Sequence, residues 1–351
     1  MGLLIAIIAI LASLYLLAVL TEDFFIPAID RIAQKLRMGS DAAGATLLAA
    51  GSSAPEFFTA IIAVFGLTGG GNIADVGTGT IVGSAIFNIL VIIGAAALYK
   101  AVKLQWQPVV RDMLFYIATI IMLLIAFSDG KIVLFEAVSF VLVYGVYVWT
   151  VVNWRHWLKY DDVAVQEEID AKVRKGLGMA SYRLLRVVIP DPRVKPKLYI
   201  ITFFLAIAGI GLLSFVLVDQ VVVIADLLQI NSTFLALTVI AAGTSVPDMI
   251  GSMVVAKQGR GDMAVGNAVG SNVFNILFGL GIPWTLVLLL NTDSVAVGTA
   301  NLTSSVLLLL ATVIAIIFLL VVRRWRIGQK SGLLLIGLYV IYCIYVAFTV
   351  A

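Results

Sequence analysis

Two short stretches of this 351-residue chain set a carboxylate inside an apolar run. "AAGSSAPEFF" spans Ala49–Phe58, and "AAGTSVPDMI" spans Ala241–Ile250. In each, a serine precedes the acid by three residues: Ser53 and Glu56, then Ser245 and Asp248. That spacing puts both side chains on one helix face. The intervening proline lacks an amide donor and clashes with the preceding turn, so carbonyls around Ala49–Gly51 and Ala241–Gly243 are expected to lose their helical partners. Further on, "GSAIFNIL" and "GSNVFNIL" place Ser84 four residues before Asn88, and Ser271 four residues before Asn275. The combined donors are carboxylate, hydroxyl, amide and carbonyl oxygens, without sulfur or imidazole. Hard cations such as Ca²⁺, which take about 6–8 oxygens, prefer that set, and Na⁺ is also hard and close in size.

A plainer reading is available. Ser-x-Pro-acid is also a capping box, with Ser53 or Ser245 at the N-cap. A cap contributes about 1 kcal/mol. An acid near the middle of a bilayer costs roughly 2.5–3.5 kcal/mol. Capping therefore does not account for the carboxylates. Asp23, Asp75, Asp112, Asp219, Asp226 and Glu136 fall near the ends of apolar runs, where solvated or interfacial roles are expected. Asp219, Asp226 and Glu136 could draw cations to an outer mouth. The lone His156 sits in a polar stretch and the lone Cys343 has no disulfide partner, so neither builds a metal cluster.

The elements that must carry these residues follow from composition. The chain is 62% hydrophobic and only 12% charged, against about 25% charged in soluble domains. Ten apolar runs near or above the ~20 residues of a membrane span can be marked, at 3–21, 40–67, 73–98, 108–128, 131–152, 198–218, 232–256, 263–290, 300–322 and 332–350. The class expected is an all-α membrane protein. Thr46–Glu56 and Thr238–Asp248 are identical at six of eleven positions, and Gly83–Leu90 and Gly270–Leu277 at six of eight. The chain is thus an internal duplication. Each half has an odd number of spans, so the two five-helix repeats lie upside down relative to each other, an architecture common among secondary transporters. The expected divisions are 1–153, a polar cytoplasmic linker at 154–197, and 198–351. Within the linker, "EEIDAKVRK" could form a short helix. Of the 23 lysines and arginines, all but Lys131 fall on one side of this topology. Both termini should then face away from the cytoplasm.

These blocks resemble the alpha repeats of the cation/Ca²⁺ exchanger superfamily. Within it they are most similar to the K⁺-dependent Na⁺/Ca²⁺ exchanger branch, in "EDFFIP" at Glu22–Pro27, "SDAAGA" at Ser40–Ala45, "GTIVGSAIFNIL", and the Pro247–Asp248 pair. The resemblance implies ten helices with a central site on helices 2, 3, 7 and 8. It implies Ca²⁺ carboxylates at Glu56 and Asp248, and hydroxyl ligands at Ser52, Ser53, Thr244 and Ser245. It further implies ligands at Ser84, Asn88, Ser271 and Asn275, and carbonyl donors at Ala49 and Ala241. Helices 1 and 6 would form a sliding bundle. The linker does not match a large Ca²⁺-binding regulatory loop. One departure matters: the branch typically has aspartate where this chain has Asn275.

The expected function is Na⁺/Ca²⁺ antiport across a cell (plasma) membrane. Two fixed carboxylates leave an empty site at about −2, costly to carry through a low-dielectric core, and one Ca²⁺ or several Na⁺ neutralise it. With Asn275 neutral, Ca²⁺ alone balances the charge and no K⁺ is required. H⁺/Ca²⁺ exchange is the nearest alternative, but the Gly-Asn-Ala-x-Glu pattern of dedicated H⁺-coupled relatives is absent. A cation channel is the alternative of a different class. An intramembrane protease would rest on "GRGD" at Gly259–Asp262 and "YD" at Tyr160–Asp161, both outside the apolar runs. No cofactor is expected beyond the transported Ca²⁺ and Na⁺, since no P-loop is present. The bilayer is the expected environment, with no nucleic-acid or protein partner indicated.

Overall fold

The computed structural model describes residues 2–64, 73–99, 102–160, 177–227, 238, 241–290, 294–296 and 300–350. The "EEIDAKVRK" segment and the side chains of Asp75 and Asp226 lie outside the described residues.

Helices dominate. α1 runs Gly2–Leu36. α2 covers 40–52 and α3 covers Ala54–Val64. α4 covers 73–99, α5 Trp106–Ala126, and α6 Leu134–Trp157. α7 is Leu177–Val188 and α8 Tyr199–Leu227, followed by α9 (Ala241–Thr244) and α10 (Val246–Lys257). α11 (Gly261–Leu277), α12 (Gly281–Leu290), α13 (Ala300–Val322) and α14 (Gln329–Val350) complete the chain. Among the described residues, seven helices are long and apolar enough to cross a membrane, and Val306–Val322 is a shorter apolar one. The remaining two of the ten spans are those broken at Ser53 and Ser245. Two antiparallel ladders of two residues each, Val102–Lys103 with Arg326–Ile327 and Lys131–Ile132 with Val295–Ala296, tie the first half to the second.

Burial is inverted relative to a soluble protein. Phe135, Phe204, Phe318 and Phe348 are exposed, while Glu56, Asp248, Asn88 and Asn275 are fully enclosed. An apolar exterior around a polar centre is the arrangement a bilayer demands. Close helix approach makes that centre compact. A Cβ on Gly44 would meet the Met263 backbone, and one on Gly270 would meet the Ala45 carbonyl, so α2 and α11 pack backbone to backbone.

Two sequence expectations are corrected. The first connection, expected to begin at Glu22, is instead helical to Leu36. Its stripe of Ile26, Ala28, Ile29 and Ala33 is buried while Lys35 is exposed, so an amphipathic extension satisfies both environments. A π turn at Thr21–Phe25 interrupts it. Pro27 has no amide to offer the Asp23 carbonyl four residues earlier. Arg193, just before α8, supplies the missing donor through Nη2 at 3.0 Å.

Second, Asp112 is neither solvated nor interfacial. It is 2% exposed and forms a two-pronged pair with Arg111, Nε to Oδ1 at 2.8 Å and Nη2 to Oδ2 at 3.1 Å. Arg111 also reaches Asp41 Oδ2 at 3.2 Å, and Tyr147 and Tyr160 donate to Asp112 and Asp41. Asp23 is likewise buried, against Arg193 at 3.6 Å. The apolar-run boundary hid both, because a paired charge lets a helix bury an acid near its end. Glu136 and Asp219 behave as expected: Glu136 caps the start of α6, and Asp219 is exposed, accepting from Gln220.

The 154–197 segment contains an ordered helix, α7, docked on α1. Tyr182 stacks on Phe24 with centroids 5.6 Å apart and donates to Asp191 at 2.6 Å.

Candidate cation site

The two breaks are close copies of each other. Ser53 has φ −84°, ψ 11°, and Ser245 has φ −84°, ψ 2°. In both, the amide still reaches back four residues, Ser53 N to Ala49 O at 3.0 Å and Ser245 N to Ala241 O at 3.3 Å. The breaks are therefore kinks in nearly continuous helices. The Ala49 and Ala241 carbonyls each keep a helical partner, contrary to the expectation that they lose it; Ala49 O retains a second lone pair, whereas Ala241 O also accepts from Thr244 Oγ1. Pro55 and Pro247 instead withdraw their donors from Gly51 and Gly243. The capping box does not form either: Ser245 makes no side-chain cap bond, and Ser53 Oγ has no hydrogen-bond partner among the described residues. The hydroxyls thus remain available to the site.

Each carboxylate takes a hydrogen bond from the other repeat, and Asp248 takes a further one from its own. Ser245 Oγ donates to Glu56 Oε1 at 3.0 Å. Asn88 Nδ2 donates to Asp248 Oδ2 at 3.2 Å, and Ser271 Oγ donates to Asp248 Oδ1 at 3.0 Å. Every one of these side chains is at most 1% exposed. Four further groups are buried without a hydrogen-bond partner among the described residues: Glu56 Oε2, Ser53 Oγ, Asn88 Oδ1, and both polar atoms of Asn275. Buried polar atoms of this kind call for an explanation. Here they include one carboxylate, one hydroxyl and two amide oxygens, which is a hard-cation donor set.

Not every expected ligand is free for that role. Ser84 Oγ is turned to Ile81 O at 3.0 Å on its own helix, and Thr244 Oγ1 to Ala241 O at 3.2 Å. Ser52 Oγ is held by Leu48 O at 2.7 Å and by Asn267 Oδ1 at 3.3 Å. These hydroxyls keep acceptor lone pairs.

Sequence reasoning missed Asn267 and Asn272. Asn267 Nδ2 reaches the Asp248 carbonyl at 3.1 Å and Ser252 Oγ at 2.9 Å. Asn272 joins Asn88 to Tyr116 and Ala85 O. The signal available was compositional: two extra amides, at positions where the first repeat has Thr80 and Ala85, inside α11, which is buried at every position but Asp262. Among the described residues no group of three or more His, Cys, Asp or Glu occurs, so the site's charge rests on two carboxylates.

A sequence model of the family described as Sodium/calcium exchanger protein matches residues 6–153 and 198–348. Sodium/potassium/calcium exchanger 4 of Mus musculus is 28% identical over 96% of this chain and 80% of its own length. Sodium/potassium/calcium exchanger 2 of Gallus gallus is 28% identical over 93% of this chain and 74% of its own. Among solved structures, the sodium-calcium exchanger NCX_Mj soaked with 10 mM Na⁺ and 10 mM Sr²⁺ superposes with a TM-score of 0.69 at 21% identity, covering 97% of each chain. The same exchanger in 10 mM Na⁺ and zero Ca²⁺ gives 0.68 at 20% identity, over 97% of this chain and 98% of that one. At such identity the likeness is one of fold.

Proposed function

The chain belongs to the sodium/calcium exchanger protein family, and we propose that it exchanges Na⁺ for Ca²⁺ by alternating access at the site between Glu56 and Asp248, without requiring K⁺. The observation that carries this reading is the pair of enclosed carboxylates, one from each inverted repeat, beside partnerless oxygens of Ser53, Asn88 and Asn275. Glu56 and Asp248 bind Ca²⁺, and Ser53, Asn88 and Asn275 complete its shell. Ser52, Thr244, Ser245, Ser84 and Ser271, with the Ala49 and Ala241 carbonyls, supply oxygens for Na⁺ or Ca²⁺. Binding one Ca²⁺ or several Na⁺ neutralises the site. Only the loaded forms then cross between inward and outward states at low cost. α1 and α8, which pack with Leu20 against Gly209, slide against the remaining helices.

The same reading sets the chain in a cell (plasma) membrane with both termini outside the cytoplasm, the repeats at 1–153 and 198–351, and a cytoplasmic connection at 154–197. The deciding experiment is Ca²⁺ uptake into proteoliposomes under separately imposed Na⁺, K⁺ and H⁺ gradients. Uptake driven by an outward Na⁺ gradient with choline in place of K⁺ supports the proposal. Uptake that follows only the pH gradient would establish H⁺/Ca²⁺ exchange. Steady currents of many ions per opening would establish a channel.

A further inference from the structure

Asn272 lies one residue after Ser271, and its counterpart in the first repeat is Ala85, which has no polar side chain. The orientation of its amide follows from a single acceptor. Ala85 O can only accept, so the Asn272 atom 3.0 Å from it is the donor Nδ2. Tyr116 OH takes the other hydrogen at 3.0 Å. Oδ1 of Asn272 then faces Asn88, and the Asn88 atom 2.9 Å away must in turn be Nδ2. The second hydrogen of that Nδ2 goes to Asp248 Oδ2 at 3.2 Å. What is left over is Asn88 Oδ1, buried and without a hydrogen-bond partner among the described residues.

We propose that Asn272 is a positioning residue that holds the carbonyl oxygen of Asn88, rather than its amide nitrogen, toward the transported cation. The inference rests on the cation-site reading above. Asp248 orients Asn88 in the same sense, but its carboxylate is itself a ligand and is drawn to the cation when one binds. Ala85 O is a backbone atom of α4, and its instruction does not change with the cargo. Asn275 has no such relay. Neither of its polar atoms has a hydrogen-bond partner among the described residues, and the relay position of the opposite repeat is Ala85 itself. The duplicated asparagines are therefore unequal: Asn88 is fixed as an oxygen ligand, and Asn275 is free to turn.

The test is a mutant cycle in Na⁺-driven Ca²⁺ uptake by the purified full chain in liposomes. Asn272→Ala should raise the KM for Ca²⁺ about five- to tenfold, the scale of one buried hydrogen bond, with kcat changed less than about twofold. Asn88→Asp presents oxygen in either orientation. In that background Asn272→Ala should change KM by less than about twofold. Asn272→Leu, close to asparagine in shape, carries the same cycle if the alanine variant does not fold. A fall in kcat at unchanged KM, or an equal KM shift in both backgrounds, overturns the inference. Glu56→Gln is measured in parallel. Retained Ca²⁺ flux there sinks the site reading itself, whereas lost flux without coupling between Asn88 and Asn272 sinks only the role of Asn272.

Discussion

Ser245 Oγ donates to Glu56 Oε1 at 3.0 Å, although 189 residues separate the two. The equivalent hydroxyl of the first repeat, Ser53 Oγ, has no hydrogen-bond partner among the described residues. Asp248 instead accepts from Asn88 and Ser271. Glu56 is thus oriented by the second repeat, and Asp248 by one residue from each repeat, so the duplicated halves meet asymmetrically around the site.

Glu56→Gln and Asp248→Asn should each nearly abolish Ca²⁺ transport while the protein still folds. Either change removes one of two charges that balance a divalent cation. Leaving a buried charge uncompensated costs about 3–5 kcal/mol, which corresponds to a loss of more than about 100-fold. Flux in proteoliposomes, normalised to protein recovered as a monodisperse peak, checks this. Near wild-type flux in either variant would show that the site is misassigned.

The asymmetry predicts a split between the two serines. Ser245→Ala strips Glu56 Oε1 of its donor and should lower the stability of the cation-free protein by about 1–3 kcal/mol. Ser53→Ala removes only a weaker interaction with Asp248, which already accepts from Asn88 and Ser271, and should lower that stability less, by under about 1 kcal/mol. It should nevertheless reduce the stabilisation that saturating Ca²⁺ confers. Thermal unfolding in detergent, with and without Ca²⁺, separates the two. Equal losses for both serines in the absence of Ca²⁺ would contradict the asymmetry.

Asn275 sets the K⁺ prediction. With Asn275 neutral, a K⁺ ion bound beside Ca²⁺ would leave an uncompensated positive charge in an enclosed pocket, at a cost of several kcal/mol. Wild-type flux should persist when choline replaces K⁺. Asn275→Asp adds a negative charge and should make Ca²⁺ uptake rise with K⁺. A wild-type protein that stops without K⁺ would defeat the charge argument.

Arg111 holds two buried acids, Asp112 and Asp41. Arg111→Met should destabilise the protein by about 3–5 kcal/mol, because both carboxylates lose their counter-charge. Adding Asp41→Asn and Asp112→Asn should recover most of that loss. The melting temperatures of the single and triple variants decide it. No recovery in the triple variant would mean that Arg111 acts through packing of its stem.

Asp191 lies outside the spanning helices and joins α7 to the start of α8. Burial alone would raise its carboxyl, but hydrogen bonds from Arg193 and Tyr182 outweigh that and hold its pKa below the usual carboxylate value. A carboxylate with a depressed folded pKa contributes stability above its unfolded pKa of about 3.9, and loses it as pH falls through the folded value. Asp191→Asn should therefore melt below wild type at pH 7, with the gap closing as pH falls below about 4. A gap that does not change with pH would show the carboxylate's charge to be irrelevant.

The sequence by itself determined the ten-span helical class, the duplication and the identity of the candidate ligands. All of these are local properties: apolar run length, the repeated Ser-x-Pro-acid block, and the four-residue spacing of Ser84 with Asn88 and of Ser271 with Asn275. Tertiary structure decided which groups meet. The hydrogen bonds from Ser245 to Glu56, from Asn88 to Asp248 and from Asn88 to Asn272 join residues 160 or more positions apart. Helical periodicity states which face a residue occupies, not which face of which distant helix it will oppose. For the same reason the burial of Asp112 beside Arg111 and Asp41, and the Arg193 donor at the Asp23 carbonyl, were not legible. Arg111 neighbours Asp112 in sequence, but their enclosure depends on Asp41 and Tyr147 from other helices, and the Asp23 carbonyl finds its donor on a separate element; only the packed chain supplies those partners.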